Sequence, residues 1–335
     1  MKILSFFNNK GGVGKTTLVY HLAWMFADMG KRVLVADLDP QANLTSMFLN
    51  DRELESLWDP DDGKHRSIMA PLRPLIEGVG DISESPFHQI SPEIRLIPGD
   101  LDLSNFEYNL SDAWGKCLDR QPSAFRITSS LHRIVNQAAE DFNADLVFID
   151  VGPNFGAINR AALLSAHALV VPVAPDLFSL QGLRNLGPTL ARWRQDWKKR
   201  LAENPVYGLL LPEGLMNPLG YVVIQFGIHD SQPIKAYDKW ARRIPATFAE
   251  KVLNLPANPF LDSSDNPHCL GLLKHYRSLM PMAMEARKPI FHLKAADGAI
   301  GAHSASVKNC EEDFRRLANA ILNQLEGMPF LQACY

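Results

Sequence analysis

The sequence predicts an α/β fold, a mostly parallel twisted sheet with helices on both faces. Two observations carry that prediction. A strand-like run (KILSFF, residues 2–7), a glycine-rich turn, a helical apolar repeat and a second buried run (RVLVADLD) follow one another within about forty residues, which is a βαβ unit and implies parallel strands. Later, DLVFID and HALVVPVAP repeat the short, unbroken apolar run expected of a buried strand.

Each element has its own justification. From Lys15, the residues Leu18, Leu22, Met25, Phe26 and Met29 recur at helical spacing, and Gly30 supplies the stop. Residues 51–93 carry Asp, Pro, Gly and Ser clusters with mixed charge (DPDDGKHR, GVGDISESP) and predict surface loops and short helices. IRLIPGDLDLSNFEYNL restores a strand followed by a helix, and Leu131, Ile134, Val135 and Ala138 mark a helix before DLVFID. Beyond Gln195 the pattern weakens; strands are expected at 207–211 and 220–225, and a last helix near 308–325 with Phe314, Leu317, Ala318, Ile321, Leu322 and Leu325 on one stripe. The expected organisation is a single domain over 1–335, with insertions at 51–93 and 195–270.

Composition narrows the function. A formal charge of −3 over 335 residues gives no global basic signature, so any nucleic-acid contact must come from a local patch. Cys117, Cys269, Cys310 and Cys334 are scattered without a C-x-x-C pair, which argues against a disulfide framework or a cysteine metal site and fits a reducing cytoplasm. The ten histidines show no metal-ligand spacing, and His21 reads as structural. The start of the chain does not read as a signal peptide, and no run approaches a membrane span, so a cytoplasmic location without membrane contact is expected.

Residues 8–17, NNKGGVGKTT, carry the chemistry. The phosphate loop is written G-x-x-x-x-G-K-[ST]; Gly14, Lys15 and Thr16 supply its end, Asn9 stands where its first glycine should be, and Lys10 is a second lysine. Gly11, Gly12 and Gly14, with Val13 between the last two, let backbone N–H groups face phosphates at a helix N-terminus. Lys15 would reach the β- and γ-phosphates, and Thr16, followed by Thr17, would place its hydroxyl on Mg²⁺. The chain is therefore expected to be a P-loop NTPase using a nucleotide and Mg²⁺, with Gly11, Gly12, Val13, Gly14, Lys15, Thr16 and Thr17 as its nucleotide-binding set. Asp150 ends DLVFID, the place of a Walker B acid on Mg²⁺. Asp37 and Asp39 end the second strand, where open α/β sheets bind ligands. Asp39 is the candidate to orient the attacking water and to serve the metal, while Asp37 is equally well read as a strand-end turn acid.

In their order, NNKGGVGKTT, DLDPQANLT, DLVFIDVGPNFG and VVPVAPDLFSLQGL resemble the ParA/MinD family of deviant Walker ATPases, and ParA-like members most. LMPMAMEARKPIFHL and the terminal helix extend the resemblance, which covers about 1–50, 94–190 and 275–325. It implies that Lys10 crosses a homodimer interface to the partner's nucleotide, so that two subunits sandwich two ATP molecules. It also implies slow hydrolysis stimulated by a ParB-type adaptor, and an adenine contact near Gln225. The sequence departs from the family at Asn9 (usually Gln), at Ala42 (usually Gly), and at Val151-Gly152-Pro153-Asn154, where C-P-P-S is usual. Those departures leave nucleotide binding in place and the rate of hydrolysis open.

ParA-like dimers bind DNA nonspecifically, and two basic stretches qualify for phosphate contacts. RWRQDWKKR offers Arg192, Arg194, Lys198, Lys199 and Arg200, interleaved with Trp193 and Trp197. IKAYDKWARRI offers Lys235, Lys239, Arg242 and Arg243, with Ile234, Tyr237, Trp240, Ala241 and Ile244 towards the core. The bland reading of both is a solvated helix face. The terminal helix has a mixed polar face rather than a basic one, so a MinD-type membrane anchor is not expected. The expected function is an ATP-dependent dimerising ATPase that partitions or positions a plasmid, chromosome or mobile element. With Lys10 so near the start, a site-specific repressor role is not expected. A regulatory ATPase that recruits a protein cargo without DNA is the alternative. A ligase of the dethiobiotin-synthetase kind is the third, against which Lys10 and DLDPQ count.

Overall fold

The structure, a computed structural model, describes residues 1–59, 66–226, 228–229, 232–233, 239–256, 266–276 and 278–328. Its strands are β1 Lys2–Phe6, β2 Val33–Asp37, β3 His88–Ser91, β4 Ile94–Ile97, β5 Leu146–Asp150, β6 Ala168–Val173, β7 Asn217–Phe226, β8 Ile228–His229, β9 Gln232–Pro233 and β10 Cys269–Lys274. Eight of them form one sheet in the order β10-β7-β6-β1-β5-β2-β4-β3, and β8 pairs with β9. β1 and β2 flank β5 in parallel, β4 lies parallel to β2, β10 lies parallel to β7, and β3 is antiparallel to β4. The predicted fold class holds. β2, β5 and β6 are buried at every residue, which is why they read as unbroken apolar runs rather than alternating ones.

The helices are α1 Lys15–Asp28, α2 Asn43–Phe48, α3 Asp51–Trp58, α4 Met69–Ile76, α5 Leu103–Lys116, α6 Pro122–Thr128, α7 Ser130–Phe142, α8 Ala157–Ser165, α9 Leu177–Ala202, α10 Ile244–Lys251, α11 Leu279–Ala286 and α12 Ala302–Gly327. The chain divides into two compact units. One comprises Met1–Phe7, Gly30–Leu169 and Thr189–Asn217; the other comprises Asn8–Met29, Val170–Pro188 and the described residues from Pro218 on.

Several expectations are corrected. Residues 51–93 are not only surface: Ile68 and Leu72 are fully buried, and β3 extends the sheet. Residues 207–211 form no strand; Leu209 and Leu211 pack instead against Ala113, Cys117 and Phe125, so their apolar character serves a core contact without pairing. β7 contains the expected 220–225. β10 comes as an addition, because CLGLLK is too short and mixed to stand out in the sequence. The last helix is longer than expected, and Phe314, Leu317, Ala318, Ile321 and Leu325 are buried on it. Of the second basic stretch, Ile234, Lys235 and Tyr237 lie outside the described residues, while Ala241 and Ile244 are buried as expected.

Candidate functional site

The phosphate loop is built for an anion. Gly11 and Gly12 form the turn and lie exposed, so no side chain covers the backbone there. Gly12 and Gly14 have φ of 72° and 83°, the left-handed region that glycine enters at no steric cost. Gly14 is the N-cap of α1, no side chain caps that end, and its first turn carries no acid. The first N–H groups and the helix dipole therefore face outward with a preference for negative charge. Val13 is buried and pins the loop, and Lys15 is only 7% exposed. Thr16 and Thr17 follow on the first turn of α1, both half-buried. Asn8 ties the loop's first half down, donating from Nδ2 to the carbonyl of Pro172 (2.6 Å) and accepting from the N–H of Lys10 (3.0 Å). Gly182 makes room for it, since a Cβ there would lie 2.6 Å from Asn9 Oδ1 and 2.9 Å from Asn8 Oδ1. The second lysine is held at the start of α9: Lys10 Nζ forms an ion pair with Asp176, whose other oxygen accepts from the N–H of Ser179 (2.8 Å).

Beside the loop, a pocket of about 110 Å³ is walled by Gly14, Thr17, Leu18, His21, Ile224 and Tyr276, among others. His21 is neutral there, since burial lowers its pKa to about 4. Its Nδ1–H donates to the carbonyl of Thr17 (2.8 Å), and its Nε2 accepts from the N–H of Ile290 (3.1 Å). Its ring stacks on Phe314 at 5.0 Å. Of this histidine-and-aromatic lining, the sequence marks only His21, and only as structural, because the walls come from segments far apart in the chain. Gln225 belongs to β7, and its side chain lies outside what the structure describes.

The acids lie in the other unit. Asp37 and Asp150 stand opposite each other in register at the ends of β2 and β5, both fully buried. Asp37 is an anchor: its Oδ2 accepts from the N–H (2.8 Å) and hydroxyl (2.7 Å) of Thr45, and Thr45 Oγ1 accepts from the N–H of Gly99 (2.8 Å). Burial, with the nearby charge of Asp39 a smaller cause, pushes its pKa up to about 6 against the pull of the Thr45 bonds. Asp39 accepts from the N–H of Gln41 (3.0 Å), and a Cβ on Gly152 would lie 3.4 Å from its Oδ1. The hydroxyl of Thr16 and the carboxylates of Asp39 and Asp150 are hard oxygen donors of the kind Mg²⁺ takes. Among the described residues no group of three or more His, Cys, Asp or Glu could hold a metal unaided.

The first basic stretch loses two members. Arg194 is turned inward, donating to the carbonyls of Leu215 (2.7 Å) and Met216 (2.6 Å). Arg200, 7% exposed, donates to the carbonyls of Trp114 (2.7 Å) and Asp196 (2.8 Å) and lies 4.0 Å from the Trp114 ring centre. Both guanidiniums satisfy backbone carbonyls, so neither is available to a phosphate. Arg192, Lys198 and Lys199 are exposed, as are Lys239, Arg242 and Arg243. Lys239 and Arg243 lie over Trp240 at 4.9 and 5.3 Å. Lys235 lies outside the described residues. No helix among the described residues is long and apolar enough to cross a membrane.

The AAA_31 family, an AAA domain, matches residues 1–203. The chain is 34% identical over 194 residues to the chromosome-partitioning ATPase Soj of Thermus thermophilus, covering 58% of this chain and 63% of the relative. It is 29% identical over 203 residues to the chromosome partitioning protein ParA of Caulobacter vibrioides, covering 60% and 66%. It thus spans less than two thirds of either relative's length. Among solved structures, protein DIP2308 of Corynebacterium diphtheriae is similar at a TM-score of 0.70 and 26% identity, over 97% of this chain and 99% of that one. An ATP complex of Cyanothece McdA shares the fold at a TM-score of 0.62 and 17% identity, over 96% of each chain. With the family matched over more than half of its 335 residues, the chain belongs to the ParA/MinD family of P-loop ATPases.

Proposed function

We propose that the protein is a ParA-like ATPase whose ATP- and Mg²⁺-dependent sandwich dimer binds DNA nonspecifically, and whose slow hydrolysis resets it, in partition or positioning of DNA. Lys10 to Thr17 bind ATP, with the backbone of Gly11, Gly12 and Gly14 around the phosphates and Lys15 on the β- and γ-phosphates. Thr16, Asp39 and Asp150 hold Mg²⁺, which supplies charge neutralisation on the phosphate oxygens. Asp39 orients the attacking water. The pocket walled by the neutral His21 and by Tyr276, with Lys274 also in its lining, suits the base, beside Gln225. A ParB-type adaptor completes the site, and the protein works in the cytoplasm, on the nucleoid.

One observation carries this reading. Lys15 is buried in its own loop, whereas the Lys10 side chain is 30% exposed and held by one ion pair, able to leave for another anion. A cation supplied in trans stabilises the dimer only when ATP is present, so nucleotide state and assembly are coupled.

The test is binding to random-sequence duplex DNA with ATP, ADP or no nucleotide over a salt series, for wild type, Lys10→Ala, Arg192→Ala/Lys198→Ala/Lys199→Ala and Arg242→Glu/Arg243→Glu. ATP-dependent binding that is lost in Lys10→Ala is expected. The neutral triple variant should flatten the dependence of log K on log salt by about 0.9 per contact removed. A wild type that dimerises with ATP and never holds DNA refutes the DNA part. It would favour the second reading, a switch that recruits a protein cargo, which the inward turn of Arg194 and Arg200 supports by thinning the basic stretch.

A further inference from the structure

Gly156 is the N-cap of α8 and has no side chain with which to cap it. Within the segment after β5, Asn154 Oδ1 accepts from the N–H of Gly156 (2.7 Å), but that leaves the first N–H groups of the helix itself unmet. Those are held from α5. Glu107 Oε1 accepts from the N–H of Ala157, and its Oε2 accepts from the N–H of Ile158 at 2.9 Å. A carboxylate at a helix N-terminus meets both orphan donors and the favourable end of the dipole, and two charge-assisted bonds fix direction as well as distance. The fit depends on Gly156, because a Cβ at that position would lie 2.6 Å from Glu107 Oε1.

From α8 the hold passes to the acids. Asn159, 2% exposed, donates from Nδ2 to the carbonyls of Gly152 (2.8 Å) and Asn154 (2.7 Å). Gly152 in turn sits against Asp39. Next along α8, the Arg160 guanidinium lies 4.1 Å from the centre of the Trp114 ring on α5. Just before α5, the N–H of Gly99 bonds Thr45, which bonds Asp37. The α5 region is therefore tied to the acid-bearing segments that follow both β2 and β5. A cleft of about 340 Å³, lined by Pro40, Ser104, Glu107, Asn154, Ile158 and Asn159, gives the 152–156 segment room to shift once the cap is gone.

We infer that Glu107 is a positioning residue for ATP hydrolysis: through α8 and Asn159 it sets the segment after Asp150 against Asp39. The inference rests on the nucleotide-site reading above. It predicts that losing the cap slows the chemical step and spares nucleotide binding, because the hydrogen bonds of Glu107 go to α8 and not to the phosphate loop.

The experiment compares full-length wild type, Glu107→Ala, Glu107→Gln and Gly156→Ala. Phosphate release is measured against ATP concentration with Mg²⁺, together with affinity for a fluorescent ATP analogue and amide exchange across 151–158. A misplacement of about 1 Å costs up to about 100-fold in rate, so kcat of Glu107→Ala should fall roughly 10- to 100-fold, with KM and analogue affinity within about twofold. Exchange at Ala157 and Ile158 should accelerate. Glu107→Gln, which keeps one carbonyl acceptor, should recover part of the rate. Gly156→Ala, whose Cβ would lie 2.6 Å from Glu107 Oε1 and 2.7 Å from Asn154 Oδ1, displaces the carboxylate together with the Asn154 amide and should lose at least as much rate as Glu107→Ala. A wild-type kcat in Glu107→Ala, a rise in KM at constant kcat, or a fully active Gly156→Ala overturns the inference. If Glu107→Ala does not fold, the other two variants decide by the same criteria. If wild type releases no phosphate, the functional reading fails instead, and exchange decides: protection across 152–158 unchanged in the variants overturns the role of Glu107, and its loss upholds it.

Discussion

Replacing Asp37 with Asn should stabilise the protein near neutral pH, and the gain should vanish in acid. The Asp37 carboxylate is fully buried, and burial first, then Asp39, moves its pKa from 3.8 to about 6 despite two bonds from Thr45. Each pKa unit corresponds to about 1.4 kcal/mol, so holding this group ionised at pH 7 costs up to about 3 kcal/mol. The sign follows from the protons bound. Between about pH 4 and about pH 6 the folded chain keeps a proton that the unfolded chain has released, so this group's contribution is full below about pH 4, declines as pH rises and is gone above about pH 6. The Asn amide is neutral throughout and keeps a carbonyl oxygen for Thr45, so it carries no such slope. Urea denaturation of both proteins without nucleotide, from about pH 4 to about pH 7.5, measures the difference directly. The variant should gain up to about 3 kcal/mol at the upper end and match wild type at the lower. A variant no more stable at neutral pH, or a difference constant with pH, refutes the assignment of Asp37 as a buried, strained anchor.

Three further outcomes follow, two from the phosphate-loop unit and one from α5 as a control. Asp176→Asn removes the carboxylate that holds Lys10; the pair is about one-third exposed, so global stability should change by no more than about 1 kcal/mol. ATP-dependent self-association, followed by sedimentation, should shift to a few-fold lower protein concentration, and an unchanged or weakened association counts against the parked-lysine picture. Gly187→Ala would place a Cβ 1.6 Å from the carbonyl oxygen of Lys251, so α9 and the end of α10 must part. A loss of about 3 kcal/mol in denaturation is expected, whereas Gly115→Ala on α5, with nothing within 4 Å, should gain up to about 1 kcal/mol.

What the sequence showed and what it hid divide along chain continuity. The phosphate loop and the strand-end acids were legible because a turn, a cap and a buried strand are each written in a few consecutive residues. The pocket beside the loop was not, because Gly14, Ile224, Tyr276 and Phe314 meet only through the fold. Glu107 left no signal either: one acid on an amphipathic helix looks like solvated surface until α8 is placed above it. Arg194 and Arg200 erred in the opposite direction. A run of basic residues gives the charge, and only packing says which guanidiniums are consumed by backbone carbonyls.

Of the three departures from the family pattern, two, Ala42 and the segment 151–154, lie beside Asp37 and Asp39. Ala42 sits at φ 49°, a conformation that costs a non-glycine residue about 1 kcal/mol. Its methyl occupies the space that Gly99 leaves open: a Cβ on Gly99 would lie 3.2 Å from it and 2.9 Å from the Asp37 carboxyl carbon. A larger residue at 99 would crowd Ala42 and break the Thr45 bridge to Asp37, so the alanine and the glycine have to be read together. After β5, Gly152 stands where the family has proline, and it gives Asp39 a neighbour with no side chain. Asn9, the departure in the phosphate loop itself, fits because residue 182 of α9 is glycine. The loop at residues 8–17 therefore keeps its geometry, while the packing around Asp39 changes in both directions, gaining a methyl at Ala42 and losing a ring at Gly152. A glycine in place of proline leaves the segment after β5 a freer backbone, which is why a cap from a distant helix, at Glu107, has so much to do in this chain.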